Sequence, residues 1–185
     1  MAGLDPAICV FVHCFMTRTI RPGRSDEAEV LRAIERAAQQ GFAQVGYPDL
    51  ADGDPVPAAI LHQAARDGLL LVAADGDDRP VGFALCAVVD GCLYIHELDV
   101  HPDHAGQRLG ASLLDAAAGL ARQRHLPALT LTTFRHVPWN APYYARLGFT
   151  EIGADEIGPE LQRVLERQRA AGLDMANRLA MKRPV

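Results

Sequence analysis

Residues 100–114, VHPDHAGQRLGASLL, run from a strand end through a proline-containing loop into a helix whose first turn holds Gly106 and Gly110. The first N–H groups of a helix have no intrahelical partner and lie at the positive end of its dipole, so this loop could bind a phosphate or diphosphate. Alternatively, the glycines only permit a tight turn and close helix-to-sheet packing. The loop lacks Gly-Lys-Ser/Thr and follows a meander of strands, which argues against a nucleotide P-loop and a dinucleotide fingerprint.

The strand that leads into this loop, residues 93–100 (LYIHELDV), offers three side chains that could act as a general base: His96, Glu97 and Asp99. Strand alternation places Glu97 and Asp99 on the face opposite His96, unless a bulge near Val100 changes the parity. The alternative for either carboxylate is a surface or ion-paired position without a catalytic role.

A second segment, residues 140–153 (NAPYYARLGFTEIG), begins with a short helix. Asn140 could cap that helix, with Pro142 in the first turn, where a missing N–H costs nothing. Tyr143 and Tyr144 could both be core aromatics that pack with Leu147. Taken alone, this segment has an ordinary structural explanation.

The composition restricts the classes of partner. Lys plus Arg is 18 and Asp plus Glu is 23, and the net charge of -5 has the wrong sign for nonspecific binding to nucleic acid or to an anionic membrane. The longest apolar stretch, residues 7–15, is shorter than the ~20 residues of a membrane helix. Residues 1–6 contain Asp5 and no Lys or Arg, unlike a secretory signal, so we expect a cytoplasmic protein.

The residue types that bind metals do not form a recognisable ligand set. No CxxC pair occurs among the four cysteines, Cys9, Cys14, Cys86 and Cys92. Reduced, partly buried thiols fit this pattern better than a disulfide framework or a zinc site. No Cys or carboxylate completes a metal spacing with the three neighbouring histidines, His96, His101 and His104. We therefore predict no bound metal.

These residues must be positioned by alternating strands and helices. At 185 residues the chain is long enough for one domain, which we assign to residues 16–185, with residues 1–15 as a leader or an extra segment. The patterns predict strands at residues 17–22, 69–74, 81–89, 93–100, 128–133 and 178–181, and a further strand that begins at residue 149. They predict helices at residues 26–40, 58–66, 140–147 and 160–170 and after the glycine-containing loop, and a loop over residues 47–57.

Together the two segments resemble the GNAT-type N-acetyltransferase superfamily, through VHP, AGQRLGA and NAPYYARLGF. The chain is also similar to a bacterial subgroup with LTTF, here residues 131–134, before the PWNAP segment. The resemblance implies an α/β fold with a six- to seven-stranded, mostly antiparallel mixed sheet and helices on both faces. It also implies a splay between the fourth and fifth strands, in which acetyl-CoA would lie.

The same resemblance assigns roles to individual residues. It makes Tyr144 the general acid and favours Glu97 over His96 as the base. Because thiols have a pKa near 8.5 and tyrosine one of about 10, Tyr144 must either have a lowered pKa or only hydrogen-bond the sulfur. Coenzyme A contacts are implied for the strand backbone, the loop and the second segment, at Leu98, Val100, Ala105, Gly106, Gln107, Arg108, Gly110, Ala111, Asn140 and Tyr144.

Two positions depart from the family pattern. Ala105 stands where a Gln or Arg is usual, and Arg108 occupies the usual first glycine of G-x-G. The loop should therefore bind through its backbone more than through side chains. Because the Cβ of Arg108 forbids a backbone that only glycine adopts, we expect a weaker affinity or a slightly different loop.

The implied reaction is direct transfer of an acetyl group from acetyl-CoA to a primary amine through a tetrahedral intermediate, without an acyl-enzyme. The alternative is a noncatalytic acyl-CoA-binding or regulatory module on the same fold. The acceptor stays open among small amines, antibiotics, amino acids and peptide amines, and a homodimer is a possible assembly. Three carboxylates of the 47–57 loop could attract a cationic amine or be plain solvated turn residues: Asp49, Asp52 and Asp54.

Overall fold

The computed structural model describes residues 18–185, so the predicted leader, residues 1–15, and its two cysteines lie outside the described residues. Seven strands form one sheet: β1 (Thr19–Pro22), β2 (Leu70–Ala74), β3 (Pro80–Val89), β4 (Cys92–Val100), β5 (Ala128–Phe134), β6 (Thr150–Glu151) and β7 (Arg178–Pro184). Within the described residues, six α-helices accompany it: α1 (Ala28–Gln39), α2 (Pro48–Ala51), α3 (Ala58–Arg66), α4 (Leu109–Gln123), α5 (Ala141–Arg146) and α6 (Pro159–Ala170).

The sheet has the order β1-β2-β3-β4-β5-β7-β6. Every neighbouring pair is antiparallel except β4 and β5, which the α4 crossover makes parallel. This arrangement confirms the predicted mixed, mostly antiparallel sheet of an α/β fold.

The sheet opens between β4 and β5. The two strands pair only from Leu93 with Leu129 to Ile95 with Leu131, although β4 continues to Val100 and β5 to Phe134. The predicted splay between the fourth and fifth strands is therefore present. It opens at the ends of the strands that lead into α4 and toward α5.

Helices cover both faces of the sheet and bury two main cores. On one face α4 packs on the central strands through buried residues such as Leu113, Leu114 and Ala117, joined by Phe149 after α5. On the other face α1 and α3 pack on β2 and β3 around Leu31, and α6 packs on Tyr94. The apolar spacing of each helix explains its orientation, because the residues three and four apart form one buried stripe.

Several predicted bounds differ from the structure. The 47–57 loop contains the short helix α2, begun by Pro48, whose fixed φ suits a first helical turn. The first helix does not stop at Gly41, because a 3-10 segment continues it to Val45 and Gly46 ends it with φ 91°. The strand predicted from Phe149 is only the two-residue β6, whereas β7 extends past Met181 to Pro184.

Candidate active site

A row of unpaired backbone amides lies at the start of α4. The N–H of Ala105 donates to Pro102 at 3.0 Å and that of Ser112 donates to Arg108 at 3.0 Å. Between them, residues 106–111 make no backbone N–H hydrogen bond to any described residue. We call these six N–H groups the amide wall. Those of residues 109–111 belong to the first turn of the 15-residue helix α4, at the positive end of its dipole, where anion sites form.

The turn before α4 depends on two left-handed residues. Gly106 has φ 73° and Arg108, the residue before the helix, has φ 60° and ψ 14°. The expectation that the Cβ of Arg108 forbids the glycine conformation was therefore wrong. The left-handed region is open to other residues at a cost of roughly 1 kcal/mol, and here Arg108 adopts it with its side chain exposed.

Gly110 connects the two sequence segments in space. A Cβ at Gly110 would lie 2.9 Å from the Tyr143 hydroxyl oxygen on α5. The glycine is needed because it lets Tyr143 reach the first turn of α4. This contact brings the two segments together in space, although they are far apart in the sequence.

The backbone of β4 also faces the opening. The N–H of His101 donates to Val81 in the antiparallel β3, so by alternation the pairs of Leu98 with Ala84 and of Val100 with Gly82 are the nonbonded ones. The N–H and C=O groups of Leu98 and Val100 therefore point away from β3, into the splay. Both residues contribute their backbone to the same opening as the amide wall.

A bulge brings His96 and Glu97 together. Leu85 pairs with Glu97 but Cys86 pairs with Ile95, which leaves His96 as an extra residue in β4. The simple alternation that separated His96 from Glu97 is therefore wrong, and His96 Nδ1 lies 3.3 Å from Glu97 Oε1. The hydrogen bond to Glu97 raises the pKa of His96.

Two further carboxyl groups lie near Glu97, and with it they form what we call the carboxyl cluster: Glu35, Glu97 and Asp99. Burial raises the pKa of Asp99 well above its usual range, and the charge of Glu97 adds to the effect. Burial and then Glu97 also raise the pKa of Glu35 to about 7. Glu35 was not predicted as a site residue, because in the sequence it looks like one charged residue of an amphipathic helix.

Glu35 also forms hydrogen bonds with the segment that follows α2. Both of its carboxyl oxygens accept the N–H of Val56, at 3.0 and 3.1 Å, and Gln39 Nε2 donates to it at 3.2 Å. The residue is only 2% exposed. Because Val56 is 21 positions away, only the folded chain shows this contact.

The residues predicted on the second segment lie on the other side of the opening. Burial, followed by the charge of Asp99, raises the pKa of Tyr144, so the alternative of a lowered pKa was wrong and only hydrogen bonding to the sulfur stays open. Asn140 does not cap α5, since its side chain makes no capping hydrogen bond and its Oδ1 is buried without a partner.

One cavity of about 1180 Å³ connects all these features. It is lined by eleven of the twelve predicted site residues: His96, Glu97, Leu98, Val100, Ala105, Gly106, Arg108, Gly110, Ala111, Asn140 and Tyr144. Gln107 is exposed and does not line it. The cavity thus joins the amide wall to Glu97 and Asp99 of the carboxyl cluster.

The cavity also contains most of the unsatisfied polar atoms. Five buried side-chain polar atoms in the described residues have no hydrogen-bond partner, and four belong to residues that line this cavity: Gln39, Asp99, His104 and Asn140. Unpaired buried polar atoms are uncommon in folded proteins and indicate a missing partner. Three of the four atoms are oxygens, which accept hydrogen bonds, so a ligand with N–H donors, such as the amide groups of coenzyme A or an amine, would fit them.

Other predicted features do not form a site. Asp49, Asp52 and Asp54 are exposed and do not line the cavity, which agrees with solvated turn residues. Of the cysteines within residues 18–185, Cys86 and Cys92 are free, and burial raises the pKa of Cys86 to about 12. No group of three or more His, Cys, Asp and Glu in that range could hold a metal ion. None of the helices of that range has the length and apolarity to cross a membrane.

Comparison with known proteins agrees with this geometry. The model of the Acetyltransferase (GNAT) family matches residues 30–149, which is most of the chain and includes residues 100–114 and the second segment as far as Phe149. The chain belongs to this acetyltransferase family. The general chemistry of the GNAT family is acyl transfer from a coenzyme A thioester.

Solved structures share the fold at low identity. One is the PaiA N-acetyltransferase of Thermoplasma acidophilum in complex with coenzyme A, with 15% identity, TM-score 0.66, and coverage of 92% of this chain and 100% of that one. A GNAT acetyltransferase of Staphylococcus aureus Mu50 has 15% identity and TM-score 0.66, covering 91% and 99%. The ribosomal-protein-S18-alanine N-acetyltransferase of Escherichia coli has 18% identity and TM-score 0.60, covering 91% and 94%.

Proposed function

We propose that this GNAT protein transfers an acetyl group from acetyl-CoA directly to a primary amine. The observation that carries the proposal is the single cavity in which the amide wall meets Glu97 and Tyr144. A phosphate site alone would suit a carrier protein. A phosphate site that opens onto a carboxylate and a phenol supports a transfer reaction.

Binding of coenzyme A would use the backbone first. The amide wall would donate hydrogen bonds to the diphosphate, and the lysine side chain of a P-loop would not be required. Asn140 Oδ1, buried without a partner, would accept an amide N–H of the pantetheine arm. The backbone groups of Leu98 and Val100 would hold the arm in the splay and stabilise the oxyanion that forms as the amine attacks.

The acceptor amine would lose a proton to Glu97. His96, which lies beside Glu97, would stabilise the carboxylate of Glu97. The nitrogen forms a bond to the acetyl carbon, the C–S bond of the tetrahedral intermediate breaks, and the electron pair leaves on sulfur. Because burial keeps Tyr144 protonated at neutral pH, its hydroxyl would donate a hydrogen bond to the departing thiolate. Proximity and electrostatics would supply the remaining acceleration, since no acyl-enzyme is formed. We place this reaction in the cytoplasm.

The test combines turnover and binding. Acetyl-CoA-dependent thiol release is measured with a panel of amines for the wild type, Tyr144→Phe and the control Tyr47→Phe, a tyrosine that packs behind Phe134 and does not itself line the cavity. We expect Tyr144→Phe to lower kcat about 10- to 100-fold while calorimetry gives an unchanged Kd for coenzyme A. Coenzyme A binding without turnover of any amine would favour the noncatalytic module, and full turnover in Tyr144→Phe would remove the role of that hydroxyl.

A further inference from the structure

Arg178 is a charged side chain in the cavity that the transfer reaction does not use. It opens β7, pairs with Phe134 in the sheet and lines the cavity. Burial is the main cause that lowers the pKa of Arg178. Yet within residues 18–185 it forms no ion pair with any carboxylate. Arg178 is half-buried, and a partly desolvated cation without a counter-ion is costly, so an anionic ligand would be its natural partner.

The guanidinium is held in a fixed position. Its Nε donates to Gln168 Oε1 and its Nη2 to Thr132 Oγ1, both at 3.2 Å, and its centre lies 4.6 Å from the centroid of the Phe134 ring. Gln168 Nε2 also donates to Thr132 Oγ1, at 2.7 Å. The position of Arg178 is therefore determined before any ligand arrives, which lowers the entropy lost on binding.

The hydrogen bonds around Thr132 leave another donor free. A hydroxyl oxygen accepts two hydrogen bonds, and Thr132 already accepts from Gln168 and Arg178. The Thr132 hydroxyl must then donate its own hydrogen bond to Tyr94 Oη, which lies 2.9 Å away. The Tyr94 O–H is thereby free to donate into the cavity, which Tyr94 also lines.

The unused edge of Arg178 suits a carboxylate. Arginine has five N–H donors, and Arg178 uses two of them on protein atoms. Its Nη1 has no hydrogen-bond partner among the described residues and is not closed off from solvent. A planar guanidinium with free Nη donors binds a carboxylate through two parallel hydrogen bonds.

Arg178 lies on the face of the sheet opposite α4 and the amide wall. We call the part of the cavity on this face, with Glu97, the acceptor side and the part at the amide wall the coenzyme side. Phe134 and Thr132 present their side chains to the face of α6, while α4 with the amide wall packs on the opposite face. Glu97 lies close enough for its charge to act on Arg178. The same cavity has an apolar wall that includes Phe42, in edge contact with Trp139 at 5.9 Å between ring centroids.

We infer that the acceptor is a free amino acid with an apolar side chain, whose amine faces Glu97 and whose carboxylate binds Arg178. Arg178 is then a specificity-determining residue, and the Phe42 and Trp139 rings contact the side chain of the acceptor. The inference rests on the proposed function for the acetylation step itself. The carboxylate stays unchanged in that step, so it affects binding and orientation of the acceptor only.

Binding is tested without turnover. Calorimetry on the protein saturated with coenzyme A, which has no acetyl group to transfer, compares L-phenylalanine, L-tryptophan, L-leucine and L-methionine with their carboxamides. We expect at least one amino acid to bind about tenfold or more tightly than its amide, and Arg178→Gln to abolish this difference. Arg169→Gln, an exposed arginine of α6 outside the cavity lining, should behave as the wild type.

Turnover separates this inference from the proposed function. With acetyl-CoA, Arg178→Gln should raise the KM of the preferred amino acid about tenfold or more, leave kcat nearly unchanged, and leave phenethylamine turnover unaffected, which also shows that the variant is folded. Arg178→Lys, with charge but no planar fork, should recover only part of the loss. If amines are acetylated with no preference for a carboxylate, or none of the four amino acids binds, only this inference fails. If amino acids bind through Arg178 but no amine is acetylated, only the proposed function fails.

Discussion

The two sides of the cavity are built in different ways. The side that we assign to coenzyme A is mainly a nearly continuous stretch, residues 98–111, which offers backbone N–H and C=O groups. The side that we assign to the acceptor consists of side chains from four elements, namely Glu97, Thr132, Gln168 and Arg178, and the charge of Glu97 also acts on the buried Glu35 of α1. Backbone groups do not titrate, whereas carboxyl clusters do. We therefore expect pH and charge substitutions to act on the acceptor side and glycine substitutions to act on the coenzyme side.

The largest effect should come from Glu97→Gln, because an amide cannot accept the amine proton. We expect kcat/KM to fall about 100- to 1000-fold and the acidic limb of the pH–rate profile to disappear, with the Kd for coenzyme A unchanged. The pKa of His96 should also fall toward its ordinary value when its carboxylate partner is lost, as measured by NMR titration. His96→Asn should cost less, and a reversed order would make His96 the base.

Glu35→Gln tests whether the carboxyl cluster makes stability depend on pH. In the folded protein the pKa of Glu35 is about 7, against 4.5 ordinarily, so between these values the folded state retains a proton that the unfolded state releases. The free energy of unfolding should therefore decrease as pH rises from 4.5 to 7. Glu35→Gln should remove about 2–3 kcal/mol of this decrease in denaturant titrations. The exposed Glu29→Gln is the control, and equal slopes in all three proteins would contradict the prediction.

Gly110→Ala tests the coenzyme side. The added Cβ would lie 2.9 Å from the Tyr143 hydroxyl and displace it or the first turn of α4, so we expect about tenfold weaker coenzyme A binding by calorimetry. The double variant Gly110→Ala with Tyr143→Phe removes the close oxygen and should recover most of the affinity. No recovery would mean that the glycine serves another purpose than room for Tyr143.

The smallest effect concerns Arg108, whose left-handed backbone a glycine would adopt without strain. Arg108→Gly should raise the free energy of unfolding by about 0.5–1 kcal/mol, whereas Arg108→Ala, which retains a Cβ at φ 60°, should not. Chemical denaturation measures both. If the free energy of unfolding rises equally in both variants, the loss of the Arg108 charge is responsible and not the relief of backbone strain.

The sequence predicted the coenzyme side better than the acceptor side. Gly106, Gly110 and the loop before α4 are one local pattern, so their amides can be located without tertiary information. Glu35 and Arg178 had no such signal, because each is one charged residue in an amphipathic helix or a strand end. His96 and Glu97 were placed on opposite faces because a bulge leaves no mark in strand periodicity.

By itself, the sequence determined the order of strands and helices, the glycine-containing turn and the family, since these depend on local spacing along the chain. Only the tertiary structure decided which side chains meet across the cavity: the contact of Gly110 with Tyr143, the attachment of Val56 to Glu35, and the position of Arg178 on Phe134. The physical reason is that burial and charge–charge coupling depend on distances between residues far apart in the chain, which no local pattern encodes.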